Sequence, residues 1–107
     1  MEIKQYTIVL VNLDPTIGSE IRKTRPCVII SPDEMNKYLR TVVIAPMTSN
    51  LKNYPSRTAV GHKGKKRMIA MDQIRTIYRV RIVKCFNALS RTEIKNCKLV
   101  LKEKPVD

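Results

Sequence analysis

The sequence predicts a mainly β protein, a small barrel of short antiparallel strands packed by one C-terminal helix. Three observations carry this expectation. Short runs rich in β-branched residues come first, each ended by Pro, Asp, Asn or Gly. The one amphipathic helical stripe follows all of them, near the C-terminus. No helical pattern long enough to carry a crossover lies between the runs, so the strands must pair mainly antiparallel. A chain of 107 residues, 43% of them apolar, suffices for one core, so a single domain over residues 1–107 is expected. Such a chain closes most readily into a barrel.

Tyr6 to Leu13 (YTIVLVNL) reads as the first strand. Asp14-Pro15 ends it, because proline offers no ladder donor and fixes φ. Gly18-Ser19 lets the following loop turn. Arg25-Pro26 forces Arg25 into extended backbone, since the residue before a proline is pushed out of the α region. Cys27 to Ser31 (CVIIS) is a second strand, and Pro32 to Asn36 a turn or single helical turn. Thr41 to Ala45 (TVVIA) is a third, ending at Pro46, which leaves Thr48 just past a strand end. Lys52 to Ser56 is loop, Arg57 to Val60 a short strand, and Gly61 to Lys66 (GHKGKK) a basic turn. Arg67 to Met71 and Ile74 to Tyr78 are strand-like around Asp72-Gln73. From Arg79 to Phe86 the residues alternate, with Val80 and Ile82 on one face and Arg79, Arg81 and Lys84 elsewhere, as in a half-buried strand. Ser90-Arg91-Thr92-Glu93 is a capping box. Ile94, Cys97 and Leu101 then form one stripe of a helix ending near Lys102, where Lys102 and Lys104 suit the negative helix end and Pro105 stops it.

Lysine and arginine number 21 against 9 acidic residues, a formal charge of +12, which points to a polyanionic partner. A basic surface without a partner is the plain alternative. Membrane-surface binding would need a long basic amphipathic helix, which the sequence lacks. No run approaches the ~18 apolar residues of a membrane span, and the segment MEIKQYTIVLVNLD lacks a signal peptide's unbroken apolar core, so a cytoplasmic protein is expected. Cys27, Cys85 and Cys97 are odd in number and lie in apolar runs, as buried reduced thiols do.

There is no P-loop and no G-x-S-x-G. One histidine and scattered cysteines give zinc too few ligands, and no cofactor is implied. A two-histidine ribonuclease mechanism is impossible within one chain, since His62 is alone; it reads as an exposed loop histidine, with phosphate contact the alternative. Phosphate-directed chemistry stays open. RNA is cut without metal when its own 2′-OH attacks phosphorus while the protein removes a proton, neutralises phosphoryl charge and helps the 5′-oxygen leave. Glu20, Arg25 and Thr48 supply a base, a planar cationic fork and a hydroxyl on strand-end loops that can converge. Each also has a plainer use, Arg25 as a solvated side chain and Thr48 in a turn.

Asn12-Leu13-Asp14-Pro15, Gly18-Ser19-Glu20, Thr24-Arg25-Pro26-Cys27-Val28-Ile29-Ile30-Ser31, Pro46-Met47-Thr48 and Asp72-Gln73-Ile74-Arg75-Thr76 follow one another in this order. With these blocks the chain resembles the MazF/PemK family of toxin endoribonucleases, from about Ile8 to Leu101. The resemblance implies an SH3-like barrel with a C-terminal helix, working as a homodimer. It implies metal-independent cleavage of single-stranded mRNA to a 2′,3′-cyclic phosphate and a 5′-OH. It also implies a cognate antitoxin whose acidic, disordered segment competes for the basic groove. By the same resemblance Arg25 stabilises transition-state charge, Thr48 holds a phosphoryl oxygen and Glu20 is the base. Arg22, Lys23, Lys52, Lys63, Lys65 and Lys66 would meet phosphates along the RNA path, and Gly18, Ser19, Thr24, Asn50 and Gln73 would complete the RNA-binding positions. Tyr54 would stack a base or pack on the surface.

Two positions depart from the family pattern. One branch uses an Asp with an Arg two residues earlier; Asp72 is present here but Ala70 stands in the Arg position, so Asp72 is expected to bond backbone at a strand turn. Family members commonly carry Gly and an acidic residue before the first strand, where this chain has Tyr6-Thr7. Two other functions remain open: poisoning of DNA gyrase, as by the CcdB cousins, whose Trp-Gly-Ile tail is missing here, and a nucleic-acid-binding barrel without catalysis.

Overall fold

The computed structural model describes residues 2–13, 24–52, 54 and 56–103. Among these the strands are β1 (Thr7–Asn12), β2 (Thr24–Ile29), β3 (Thr41–Thr48), β4 (Arg57–His62), β5 (Lys65–Ala70), β6 (Arg75–Tyr78) and β7 (Ile82–Ala88). Helix α1 is Asp33–Tyr38 and α2 is Arg91–Glu103, and single 3-10 turns cover Met71–Gln73 and Arg79–Arg81. Every pairing is antiparallel, in the order β4-β5-β3-β2-β1-β7, with β6 also on β3. The result is a half-barrel of antiparallel strands closed by the C-terminal helix.

The central strands read as almost unbroken apolar runs because both faces of the sheet are covered. Ile8, Val28, Ala45, Met47 and Ile69 point to one cluster, against which Ile94, Val100 and Leu101 of α2 pack around buried Cys97. Val9, Val11, Cys27, Ile29, Val42 and Ile44 point to a second, completed by Ile77 and Ile82. Each Val, Ile, Leu or Met among them contributes about 1.5–3 kcal/mol when fully buried.

The capping box forms as expected. The Ser90 hydroxyl accepts the Glu93 N–H at 3.2 Å, and Glu93 Oε1 accepts the Ser90 N–H at 2.9 Å. Glu93 Oε2 also accepts the Gly61 N–H at 2.9 Å, tying the helix start to the end strand β4. Among the described residues no helix is long and apolar enough to cross a membrane.

Several boundaries differ from those the sequence predicts. Strand β2 starts at Thr24 and β3 runs through Pro46 to Thr48, so Arg25 and Thr48 are strand residues. The basic turn shrinks to Lys63-Gly64, with φ of 52° and 73°, the paired left-handed residues of a tight two-residue hairpin. Val80 lies in a 3-10 turn and is 86% exposed, because the chain turns before β7 begins. Tyr6 has φ of 64°. That is the left-handed region where glycine fits freely and a side chain costs roughly 1–2 kcal/mol. The ring is buried in the first cluster, which offsets the strain. The Tyr6 N–H donates to Ile29 O at 2.7 Å and its carbonyl accepts the Leu89 N–H at 2.8 Å, so the turn is held from both sides.

Candidate active site

The site is a fork in the sheet. Strands β2 and β3 pair at Ile29–Ile44, Val28–Ala45 and Cys27–Pro46, and there the ladder ends. Beyond it β2 stays with β1, Arg25 facing Val11 and Thr24 facing Asn12. Strand β3 instead stays with β5, Met47 facing Ile69 and Thr48 facing Met68. Pro26 and Pro46 explain the split, since neither has an N–H to carry the ladder further. Counting two residues on from Cys27–Pro46 sets Arg25 against Thr48, one on each lip of the fork. Residues two apart on a strand share a face, so both belong to the face of Cys27, Ile29 and Ile44.

Each lip is held by local bonds. Arg25 is exposed, and its carbonyl accepts the Cys27 Sγ–H at 3.5 Å. Thr48 is half-buried, and its Oγ1 accepts the Asn50 N–H at 3.1 Å. With one lone pair engaged, the hydroxyl proton is left free to donate, the polarity a phosphoryl oxygen needs. Asn50 Oδ1 accepts the Lys52 N–H at 3.1 Å, so the expected RNA-binding side chain of Asn50 shapes the turn after β3. Burial pushes the Cys27 thiol up to about 12, despite the opposing pull of Arg25 and Arg75, so it stays protonated and is no nucleophile. Glu20, with Gly18, Ser19, Arg22 and Lys23, lies outside the described residues.

Across β3 from the fork, the 3-10 turn Met71–Gln73 joins β5 to β6 and presents Asp72 and Gln73, both exposed. Arg57 Nε donates to Asp72 Oδ1 at 3.0 Å, and the Arg57 guanidinium lies 5.2 Å from the Tyr54 ring centre. Tyr54 thus packs on Arg57, and Asp72 bonds this side chain as well as its own turn N–H, the backbone bond expected of it. Partial burial pushes the Asp72 carboxyl up, but the Arg57 bond, its own backbone N–H, the Arg57 charge and the Ser56 hydroxyl outweigh it and hold it below the ordinary 3.8. A carboxylate so held is a weak base. Because the folded value lies below the unfolded one, the pair stabilises fully above the unfolded value and is lost as pH falls through the folded one. Asp72→Asn is therefore expected to lower the melting midpoint at pH 7, with the difference from wild type shrinking as pH falls below the ordinary 3.8 and through the lower folded value. Melts across pH 2–7 check this; a constant difference over that range contradicts it.

The basic residues divide between two faces. Lys66 and Met68, two apart on β5, share the face of Thr48, and Lys52 follows Thr48 beyond the strand end. Lys63 sits at the far hairpin tip, its Nζ 4.9 Å from the Phe86 ring centre, and Lys65 leads back on the opposite face. The fold therefore does not bring Lys63 and Lys65 to the fork. His62 is 6% exposed and packs edge-on against Phe86 at 4.8 Å, contrary to its reading as an exposed loop histidine. Burial, then Arg67 and Lys63, push its imidazole down, which keeps it neutral. Strand β4 continues through Gly61 and His62, turning the ring inward, where no local pattern predicted it. A cavity of about 460 Å³ lies away from the fork, between Glu2, Lys4 and the α1 residues Asp33, Asn36 and Lys37. Arg75 has the clearest site position that sequence reasoning left unassigned. It opens β6 opposite Ile44, and the two-residue spacing to buried Ile77 was the signal available.

Comparison with known proteins decides what this fork belongs to. Residues 4–104 match the family described as PemK-like, MazF-like toxin of type II toxin-antitoxin system. The chain belongs to that family. An endoribonuclease MazF of Staphylococcus epidermidis is 33% identical over 98 residues, spanning 86% of this chain and 82% of that protein. The MazF-like half-barrel recurs in solved structures. A crystal structure of MazF from Deinococcus radiodurans has a TM-score of 0.76 at 21% identity, covering 94% of each chain. An endoribonuclease in complex with its cognate antitoxin, from a mycobacterial species, has 0.75 at 15% identity, covering 94% of this chain and 89% of that one. In this MazF-like chain the turn before β1 is built on Tyr6 with a positive φ, the conformation a glycine adopts without strain.

Proposed function

We propose that this MazF-like toxin is an endoribonuclease that cuts single-stranded mRNA at short sequences without a metal. The supporting observation is the fork, with an exposed arginine on one lip and a half-buried hydroxyl on the other. The ribose 2′-oxygen attacks the adjacent phosphorus, the 2′-O–P bond forms and the P–O5′ bond breaks. The products are a 2′,3′-cyclic phosphate and a 5′-OH. Glu20 takes the 2′-OH proton. Arg25 neutralises charge on the phosphoryl oxygens and gives a proton to the leaving 5′-oxygen, recovering it from solvent, while Thr48 donates its hydroxyl to a phosphoryl oxygen. The toxin works in the cytoplasm as a homodimer of single-domain chains. Its antitoxin silences it by laying an acidic, disordered segment over the basic face around the fork.

The test is a long RNA incubated with the protein in excess EDTA, followed by primer extension and end-group analysis. Cleavage at a short recurring sequence, leaving cyclic phosphate and 5′-OH ends, is expected. Products with 3′-OH and 5′-phosphate ends, or intact RNA, would overturn the reading.

A further inference from the structure

Arg25 has a counterpart across β3. Arg75 opens β6 and faces Ile44, which also faces Ile29 on β2. Directly opposed residues share a face, so Arg25, Thr48 and Arg75 all belong to the face of Cys27 and Pro46. Both arginines are exposed, and the Cys27 thiol feels the charge of both. Among the described residues no carboxylate pairs with either. Two like charges held over one patch with no fixed counter-ion repel, and an anion arriving between them relieves that repulsion.

The separation tells which anion. Arg25 stands at the level of Thr48 on one side of β3, and Arg75 at the level of Ile44 on the other. Four residues along the strand and two strand spacings across, the second widened where β2 and β3 part, put their Cα atoms roughly 16 Å or more apart. Side chains on one sheet face stand roughly perpendicular to it, so the two guanidiniums keep much of that separation and are better placed on two phosphates of one strand than on the one Thr48 holds. We infer that Arg75 binds the RNA phosphate next to the one being cut, fixing the strand along β3. This rests on the RNA-cleaving reading above. Arg75 is then a binding residue whose planar fork suits a phosphodiester and carries no base sequence information.

The test measures binding of an oligoribonucleotide carrying one 2′-deoxy position at the attacking ribose, so that it is not cut. Arg75→Gln is expected to weaken binding about tenfold or more, the worth of one charge-assisted contact. It should also lower the slope of log affinity against log salt by about 0.7, one phosphate on a single strand. Arg75→Lys should keep the slope and recover part of the affinity. Replacing single phosphates by uncharged methylphosphonates should reveal one position, adjacent to the cut, that weakens wild type but leaves Arg75→Gln unaffected. An unchanged salt slope in Arg75→Gln overturns the inference. So does a wild-type profile in which no neighbouring methylphosphonate matters, a measurement that stands even if the Gln variant fails to fold. Were Arg25→Ala to cleave normally, the underlying reading would fall; were Arg25→Ala inactive and Arg75→Gln to bind as wild type, only this inference would.

Discussion

Arg25→Ala is expected to leave the fold intact and to lower single-turnover cleavage of RNA by ~10²–10³ or more, the cost of removing a preorganised donor to developing charge. Its side chain is exposed, and among the described residues no acidic group pairs with it, so truncation breaks no ion pair with them. Such surface changes move stability by about ±0.5 kcal/mol. The backbone at this position is set by Pro26 and by pairing to Val11, both of which survive the substitution. Arg25→Lys separates charge from geometry. It keeps the positive charge but loses the planar fork, so its rate should fall between wild type and alanine. A folded Arg25→Ala variant that cleaves at the wild-type rate would remove Arg25 from the chemistry. A lysine variant no better than alanine would assign its effect to the fork rather than the charge.

How much of this was legible in the sequence depends on which forces were local. The central strands showed themselves because burial on both faces makes continuous apolar runs such as YTIVLVNL and CVIIS. Helix α2 showed itself because a capping box and a three-residue stripe are local chemistry. The fork did not. Pro46 reads as a strand end, and it does end the ladder with β2, but β3 continues because β5 takes over its pairing at Met47 and Thr48. That handover is a relation between distant segments, so Thr48 looked like a residue beyond a strand. The same applies to His62, whose burial depends on Phe86 arriving from β7. It applies equally to Asp72, whose partner Arg57 lies fifteen residues earlier. Arg25 was legible by type and by its proline; its register against Thr48 was not.

A large loss of stability is expected from a polar residue far from the chemistry, Asn36. Helix α1 has only six residues and no side-chain N-cap, too short to persist alone. It is pinned by Asn36, 1% exposed, whose Nδ2 donates to Ser31 O at 2.8 Å while the Ser31 hydroxyl donates to Asn36 Oδ1. Ser31 Oγ in turn accepts the Val43 N–H at 3.0 Å, and Asn36 O accepts Arg79 Nη1 at 2.7 Å. Asn36→Ala strands a buried carbonyl and a buried hydroxyl proton, each costing about 1–3 kcal/mol when unsatisfied. A total near 2–6 kcal/mol should lower the melting midpoint by roughly 10–35 °C in a chain of this size. Ser31→Ala combined with Asn36→Ala should cost clearly less than the sum of the two, because the partners vanish together. A midpoint within about 3 °C of wild type for Asn36→Ala would show that the network contributes little. Ser31 lies at the closed end of the fork, beyond Ile29, whereas Arg25 and Thr48 lie at its open end. Assayed well below its midpoint, Asn36→Ala should therefore keep most of its cleavage rate, the opposite of Arg25→Ala, so that the hinge of the fork and its chemistry can be weakened separately.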